Sequence, residues 1–498
     1  LQNLLFKVVK MTNYRVEKDL LGELKLPRVA YYGINSLRAS QNFAVSGYGV
    51  NKHLLRALAE VKLAAAQANL QSGLLPAETA RAICSAAQEV AEGGLAEQFI
   101  VDALQGGAGT STNMNMNEVL ANRAIELLGG QKGDYDLVHP LNQVNLSQST
   151  NDTYPTALRI AAIRLVLDLS EALAELQTSL QEKEAQFAGI LKLGRTELQD
   201  ALPITLGQEF GAFAEAIARD RWRLYKVEER LRQINLGGTA IGTGLNAPRR
   251  YIYQVVEELR QITGLGLARA ENMVDLTQNA DIFAEVSGLV KAAAVNLCKI
   301  AGDLMLLAAG PAGGLAEINL PPRQAGSSIM PGKVNPVILE AVTQAAWQVM
   351  GADQTICQAC AGGRLELNAF LPLIAHNLLH VLEMLAKTAR VLNSECIRGI
   401  TANEERCRRW LEESNVLVTA LVPYIGYEQA TSLAQQAREE NKTIVELVQA
   451  HNLLTIEECQ IIAAPRELTR PGIAGARQLA GRFKKANSQG DGENARNT

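Results

Sequence analysis

From Pro155 the apolar residues Leu158, Ala161, Ala162, Leu165, Leu169, Leu173 and Leu176 recur at intervals of three and four, and the pattern continues to about Phe187. Such spacing gathers apolar side chains on one face of a helix, here a helix of about thirty residues. Similar patterns occupy roughly 206–234, 278–309, 336–360 and 370–394, each well above the usual mean of about eleven to twelve residues. Helices this long need partners along their whole run, and an antiparallel bundle supplies them. The spacing therefore predicts an all-α chain built around a central bundle.

At 498 residues the chain exceeds what one hydrophobic core usually supports. Shorter helical patterns cover Lys52–Leu70, Pro76–Glu92 and Glu118–Leu128, while the first fifty residues mix turn signals with short apolar runs such as Val29–Gly33. Past about Thr401 the helices shorten. The expected division is a mainly helical N-terminal domain over 12–150, the long-helix domain over 151–402 and a small helical domain over 403–480. The last stretch, 481–498, reads as a disordered tail. Residues 1–10 lack the long apolar region and cleavage site of a signal peptide. Met11 resembles a natural start, so they read as an upstream extension.

A formal charge of −4 offers no basic field to nucleic acid or anionic lipid, so neither partner is expected. No stretch of about eighteen uninterrupted apolar residues marks a membrane span. The seven cysteines are odd in number and scattered, which suits reduced thiols and a cytoplasmic location. Cys357 and Cys360 form a lone C-x-x-C without the second pair a zinc site needs. His376 and His380 lie four apart without an H-E-x-x-H pattern, so no metal ligands are assigned.

The long helices are separated by polar or glycine-containing breaks at Ser147–Asp152, Gly194–Asp200, Gly237–Asn246 and Gln324–Pro336, where binding groups can be presented. A further polar run, QGGAGTSTNMNMN over Gln105–Asn117, reads as a loop that leads into the helix from Glu118 and brings N–H groups and hydroxyls to its N-terminus. The most informative block is Gly326–Pro336, GSSIMPGKVNP. It is not a P-loop, since five residues separate its glycines and Val334 follows Lys333. Its glycines and paired serines offer N–H groups and hydroxyls, with Lys333 and Asn335 adding a cation and an amide; an ordinary surface turn fits the same pattern.

GSSIMPGKVNP resembles the signature of the aspartase/fumarase superfamily, and the resemblance runs in order over about 460 residues, roughly Tyr14 to Gly475. Four more blocks agree: GGAGTSTNMNMNEV at 106–119, QSTNDTYPT at 148–156, GRTELQDALPITLGQEF at 194–210 and LGGTAIGTGLN at 236–246. GGAGTS, with GITANEE at 399–405 and PGIAG at 471–475, is similar to the aspartase branch, where fumarases carry a TGSGTQ-like run. The resemblance implies a three-domain helical subunit, a tetramer with a twenty-helix core, and active sites that combine segments of three subunits. It implies elimination of ammonia from L-aspartate to give fumarate, with no cofactor required.

On the same resemblance Ser327 is the general base for the proton on the carbon beside the β-carboxylate. Ser149, Thr150 and Ser328 match the donors to the aci-carboxylate that results; Thr196, Lys333 and Asn335 match the groups that hold the α-carboxylate; Thr110 and Asn151 match those near the leaving amine. Read alone, Ser149 and Thr150 fit helix caps and Thr196 a turn residue, and Asn113, Asn115 and Asn117 are expected to satisfy backbone groups. Glu197 departs from the family, whose members commonly carry His or Gln there, beside the leaving group. Glu340 matches a supporting glutamate of the fumarases, so Glu197 and Glu340 are expected to face each other. AGGRLELNAF at 361–370 also departs from the aspartases' EAGQ-type run. A hydratase, a lyase of larger amines and a crystallin-like protein without turnover are the competing readings.

Overall fold

The computed structural model describes residues 13–480; the expected N-terminal extension and C-terminal tail lie outside them. The chain forms two compact units. One is drawn from the chain up to Ala172, from Asp220–Val295 and from Gln344–Thr388; the other from Leu173–Arg219, Asn296–Thr343 and the chain from Ala389 onward. This division cuts differently from three consecutive domains, which rest on helix length and polar breaks.

The first unit opens with an antiparallel hairpin, β1 (Tyr14–Asp19) and β2 (Gly22–Pro27), paired from Tyr14↔Pro27 to Asp19↔Gly22. It is a short hairpin ahead of an otherwise helical N-terminal region, and the sequence reading named no strand there. The alternation in YRVEKD and GELKLP puts Val16 and Leu26 on strands rather than on a helix face. Then come α1 (Ile34–Asn42), α2 (Lys52–Gln71), α3 (Ala77–Ala91) and α4 (Thr110–Leu127). Asn51 caps α2 by accepting the His53 amide, and the helix, rich in Ala and Leu, packs against α3 and against α7 (Arg249–Thr263).

Helix α4 corrects a second expectation. The run Thr110–Asn117 is helical, not a loop, and most of it is buried. Asn and Thr are poor helix formers in water because their side chains compete for backbone groups, but here tertiary partners occupy them. Asn115 accepts the Ile100 amide and donates to the Gln98 carbonyl. The Glu118 carboxylate takes the Gly33, Asn35 and Ser36 amides and so closes the N-terminus of α1. Before the helix, Gly109 has φ 94, and a Cβ there would meet the Tyr154 ring at 2.3 Å; only glycine satisfies both conditions.

Five long helices follow: α5 (Thr150–Gln186, 37 residues), α6 (Leu206–Leu231, 26), α9 (Asp281–Leu307, 27), α10 (Val337–Ala361, 25) and α11 (Leu371–Glu395, 25), with the short α8 (Met273–Gln278) between α7 and α9. Helix α5 begins at Thr150 and not at Pro155. Proline has no N–H for the carbonyl four residues back, and Asn235 Nδ2 donates to that Asn151 carbonyl at 3.0 Å in its place.

In the second unit the block 194–200 is the end of a hairpin and not a simple break. Strands β3 (Leu191–Thr196) and β4 (Gln199–Thr205) pair from Leu191↔Thr205 to Thr196↔Gln199. The hairpin packs against the helix Glu404–Glu413 and the turn that follows it, where Leu193, Leu411 and Val416 form one apolar cluster. The short C-terminal helices enclose a core of Leu421, Leu433, Ile444, Leu447, Val448 and Ile462. Capping boxes at Thr443 and Thr455 start two of them.

Candidate active site

Thr110, Ser149, Thr150 and Asn151 lie in the first unit. Ser149 precedes α5 and caps it: the Ser149 oxygen accepts the Asn151 amide at 3.2 Å, and Asp152 Oδ1 accepts the Ser149 amide at 2.9 Å. Capping therefore is one role of Ser149, but it uses a lone pair and leaves the O–H proton. Thr150 is similar, since its oxygen accepts Asn113 Nδ2 at 3.1 Å. Both hydroxyls are thus set to donate.

The other two have the opposite polarity. Thr110 spends its proton on the Gly107 carbonyl at 2.7 Å, and Asn151 donates one of its two amide N–H groups to the Ala240 carbonyl at 2.8 Å. Thr110 retains acceptor lone pairs toward a ligand, and Asn151 retains its amide oxygen beside a second N–H, the Ala240 bond fixing which way the amide points. Donors on one pair and acceptors on the other suit a molecule that carries both a carboxylate and an ammonium.

Behind these groups lies a buried network absent from the sequence reading. Asn145 Oδ1 accepts Lys62 Nζ at 2.9 Å and the side-chain amides of Asn113 and Asn117 at 3.1 Å each. Lys62 also reaches Gln148 Oε1 at 2.9 Å. Asn113 and Asn117 therefore bond side chains rather than the backbone groups expected for them. Burial pulls the Lys62 ammonium down to about 7, against the Asp152 charge that favours it. Burial likewise pushes the Asp152 carboxyl up to about 7, against the amides of Ser149, Thr239 and Gly237 and the Lys62 charge. The available signal was a single lysine inside the apolar run of α2 and the acidic residue that closes QSTND.

Thr196, Glu197, Ser327, Ser328, Lys333, Asn335 and Glu340 lie in the second unit. The base of the signature loop is clasped: the Gly326 amide donates to the Lys333 carbonyl at 2.8 Å, and Asn335 Nδ2 donates to the Gly326 carbonyl at 2.9 Å. A Cβ on Gly326 would sit 2.6 Å from the Lys333 oxygen, so the clasp requires glycine. Within the loop the Ser327 oxygen accepts the Ile329 and Met330 amides at 3.2 and 2.9 Å. Ser328 is exposed, and the Lys333 ammonium pairs with no carboxylate among the described residues. Lys333 and Asn335 border a cavity of about 670 Å³ that also holds Arg323, whose charge is matched by Glu395 at 3.1 Å.

Thr196 and Glu197 stand at the exposed tip of the β3–β4 hairpin. Glu197 and Leu198 form its two-residue turn, both left-handed with φ 53 and 61. Below the tip a buried charge cluster stiffens the hairpin: Arg195 meets Glu317 at 2.9 Å, and Lys192 meets Glu317 at 3.0 Å and Glu209 at 3.2 Å. Burial, ahead of the opposing Lys192 charge, raises the Glu209 carboxyl. Glu340 is exposed in the first turn of α10. Within one chain no hydrogen bond or shared ion-pair partner joins Glu197 to Glu340 among the described residues. The divergent 361–370 run forms the turn between α10 and α11, where Arg364 donates to the Ala361, Gly362 and Gly363 carbonyls.

A family model described as lyase matches residues 22–351, and one described as fumarase C C-terminus matches 417–470. The chain belongs to this lyase family, the aspartase/fumarase superfamily. It is 47% identical over 466 residues to aspartate ammonia-lyase of Bacillus subtilis, covering 94% of this chain and 98% of that one. With aspartate ammonia-lyase of Pseudomonas aeruginosa it shares 49% over 465 residues, 92% and 98% of the two chains. A solved structure of fumarate lyase:delta crystallin from Brucella melitensis bound to cobalt superposes with TM-score 0.89 at 48% identity, over 92% of this chain and all (100%) of that one. A class II fumarase from Schistosoma mansoni gives 0.88 at 34% identity, over 92% and 99%.

Proposed function

We propose that the chain is an aspartate ammonia-lyase that converts L-aspartate reversibly to fumarate and ammonia. The observation that carries this reading is the hydrogen-bond polarity of the first unit. Ser149 and Thr150 retain O–H donors for a carboxylate, while Thr110 and Asn151 retain acceptors for an ammonium. A hydratase has no ammonium to place there. The identity of 47% and 49% to two ammonia-lyases, against 34% to the fumarase, supports the same choice.

In the proposed reaction the Ser327 oxygen, as an alkoxide, takes a proton from Cβ. The C–H electron pair moves into the β-carboxylate and makes it an aci-carboxylate dianion. Ser149, Thr150 and Ser328 donate to that dianion, and donors aimed at charge that develops only in the transition state are worth about 3 kcal/mol each. The pair then returns to form the double bond as the C–N bond breaks and ammonia departs. Thr196, Lys333 and Asn335 hold the α-carboxylate. The Ile329 and Met330 amides on Ser327 support its role as base, because hydrogen bonds to the charged form stabilise it.

The elimination is redox-neutral, and the chain supplies base, donors and cation, so we propose that it needs no cofactor. We propose further that the chain assembles as a homotetramer, with each site built from several subunits. Trp222, Tyr225 and Trp347, exposed on α6 and α10, support buried contacts there in the assembly. The seven free thiols support a cytoplasmic enzyme. Incubation with fumarate and a panel of amines, with the adducts identified, tests the reading. L-aspartate formed from ammonia supports it; addition only of water or of larger amines contradicts it.

A further inference from the structure

Asp152 has no proposed contact with substrate, yet its side chain is fully buried, at 0% exposure. Its two oxygens are shared between two segments distant in sequence. Oδ1 accepts the Ser149 amide at 2.9 Å, and Oδ2 accepts the Gly237 and Thr239 amides at 3.1 and 3.0 Å. Those two amides belong to a loop of unusual backbone, with Gly237 at φ 92 and Thr239 at φ 55. A turn that exposes successive N–H groups to one side concentrates positive potential there, and the carboxylate fills it.

We infer that Asp152 is a positioning residue for the amine side of the substrate, holding the 237–240 loop so that Asn151 presents its carbonyl oxygen to the ammonium. This inference rests on the ammonia-lyase reading.

The chain of contacts is short. Asp152 holds the Thr239 amide, and the carbonyl of the following residue, Ala240, accepts Asn151 Nδ2 at 2.8 Å. On its other side Asn151 is held through its backbone carbonyl by Asn235 Nδ2 at 3.0 Å, at the vacancy that Pro155 creates. With one N–H so engaged, the Asn151 amide has one orientation, and its oxygen has no hydrogen-bond partner among the described residues and can accept from a ligand. If the 237–240 loop moves, that orientation is lost while Ser149 and Thr150 keep their own partners at the start of α5.

Asp152→Asn separates the two attachments. An amide has one acceptor oxygen, which can still serve the Ser149 amide, and its NH2 group then faces the Gly237 and Thr239 donors. Donor against donor releases the loop. In the direction of fumarate plus ammonia, the variant is expected to raise the Michaelis constant for ammonia about ten-fold or more, the scale of one lost charge-assisted hydrogen bond. The constant for fumarate is expected to stay within about two-fold. A merely structural role would lower the amount of active enzyme and move neither constant, so an unchanged ammonia constant in folded Asp152→Asn overturns the inference. If that variant does not fold, Asp152→Ser decides, since a serine oxygen can still accept the Ser149 amide but carries no second acceptor for the Gly237 and Thr239 amides. The same selective rise supports the inference, and its absence overturns it. Wild-type protein that forms no aspartate from fumarate and ammonia would instead sink the ammonia-lyase reading.

Discussion

The oxygen of Ser327 lies 2.9 Å from the amide nitrogen of Met330, with the Ile329 amide at 3.2 Å on the same atom. A serine is a poor base unless its alkoxide is stabilised, and two amides fixed in the loop provide that before substrate arrives. Ser327→Ala is expected to lower turnover by about 10²–10⁴-fold, the usual worth of general-base catalysis. Its melting temperature and assembly should match the wild type, because the hydroxyl takes part in no buried packing. Steady-state kinetics beside calorimetry make the check, and retention of more than about a tenth of turnover contradicts the assignment.

Glu197 occupies a left-handed position at the tip of the β3–β4 hairpin, and no side-chain hydrogen bond or ion pair occupies it among the described residues. A carboxylate there attracts an ammonium already in the bound ground state. Glu197→Gln, which keeps the shape, is expected to raise the Michaelis constant for aspartate more than it lowers turnover. Equal and unchanged parameters in the variant would remove Glu197 from amine recognition.

Assembly is the next expectation. Trp347 is 62% exposed, Trp222 64% and Tyr225 68%, on helices that bury their other faces. Light scattering should give a tetramer, and Trp347→Glu should shift it to smaller species with loss of activity, since a charge in an apolar interface is not paired. A monomer with full activity would contradict a site shared between subunits.

Asp102 carries a pH signature. Burial opposes its charge, but the Ser46 hydroxyl at 2.6 Å and the amides of Leu104, Ser46 and Gly47 prevail and hold the carboxyl down to about 2. A depressed carboxylate stabilises the fold above its unfolded value of about 3.9, and the gain fades as pH falls toward 2. Asp102→Asn should therefore lose stability at neutral pH, with the deficit shrinking as pH falls from about 5 to 2. Urea unfolding at stepped pH measures it; a deficit that does not change with pH would contradict the assignment.

The long helices were legible because three- and four-residue spacing over many turns has no competing explanation, and α5, α6, α9, α10 and α11 fall within a few residues of the expected spans. What the sequence hid was set by tertiary partners. Thr110–Asn117 reads as a loop because Asn and Thr are poor helix formers, yet Gln98, Ile100 and Asn145 satisfy them inside α4. Pro155 marked a helix start, while Asn235 from far along the chain allows α5 to begin at Thr150. The candidate site residues came from ordered motifs; Lys62 lies outside them and Asp152, although within QSTNDTYPT, drew no role, since the burial of a lysine or aspartate shows only in three dimensions.

The most direct measurement follows fumarate by its ultraviolet absorbance when the purified chain is given L-aspartate and, in parallel, L-malate. An ammonia-lyase gives fumarate and ammonia in equal amounts from aspartate and little or no fumarate from malate. Efficient malate dehydration without aspartate turnover would contradict the proposed function.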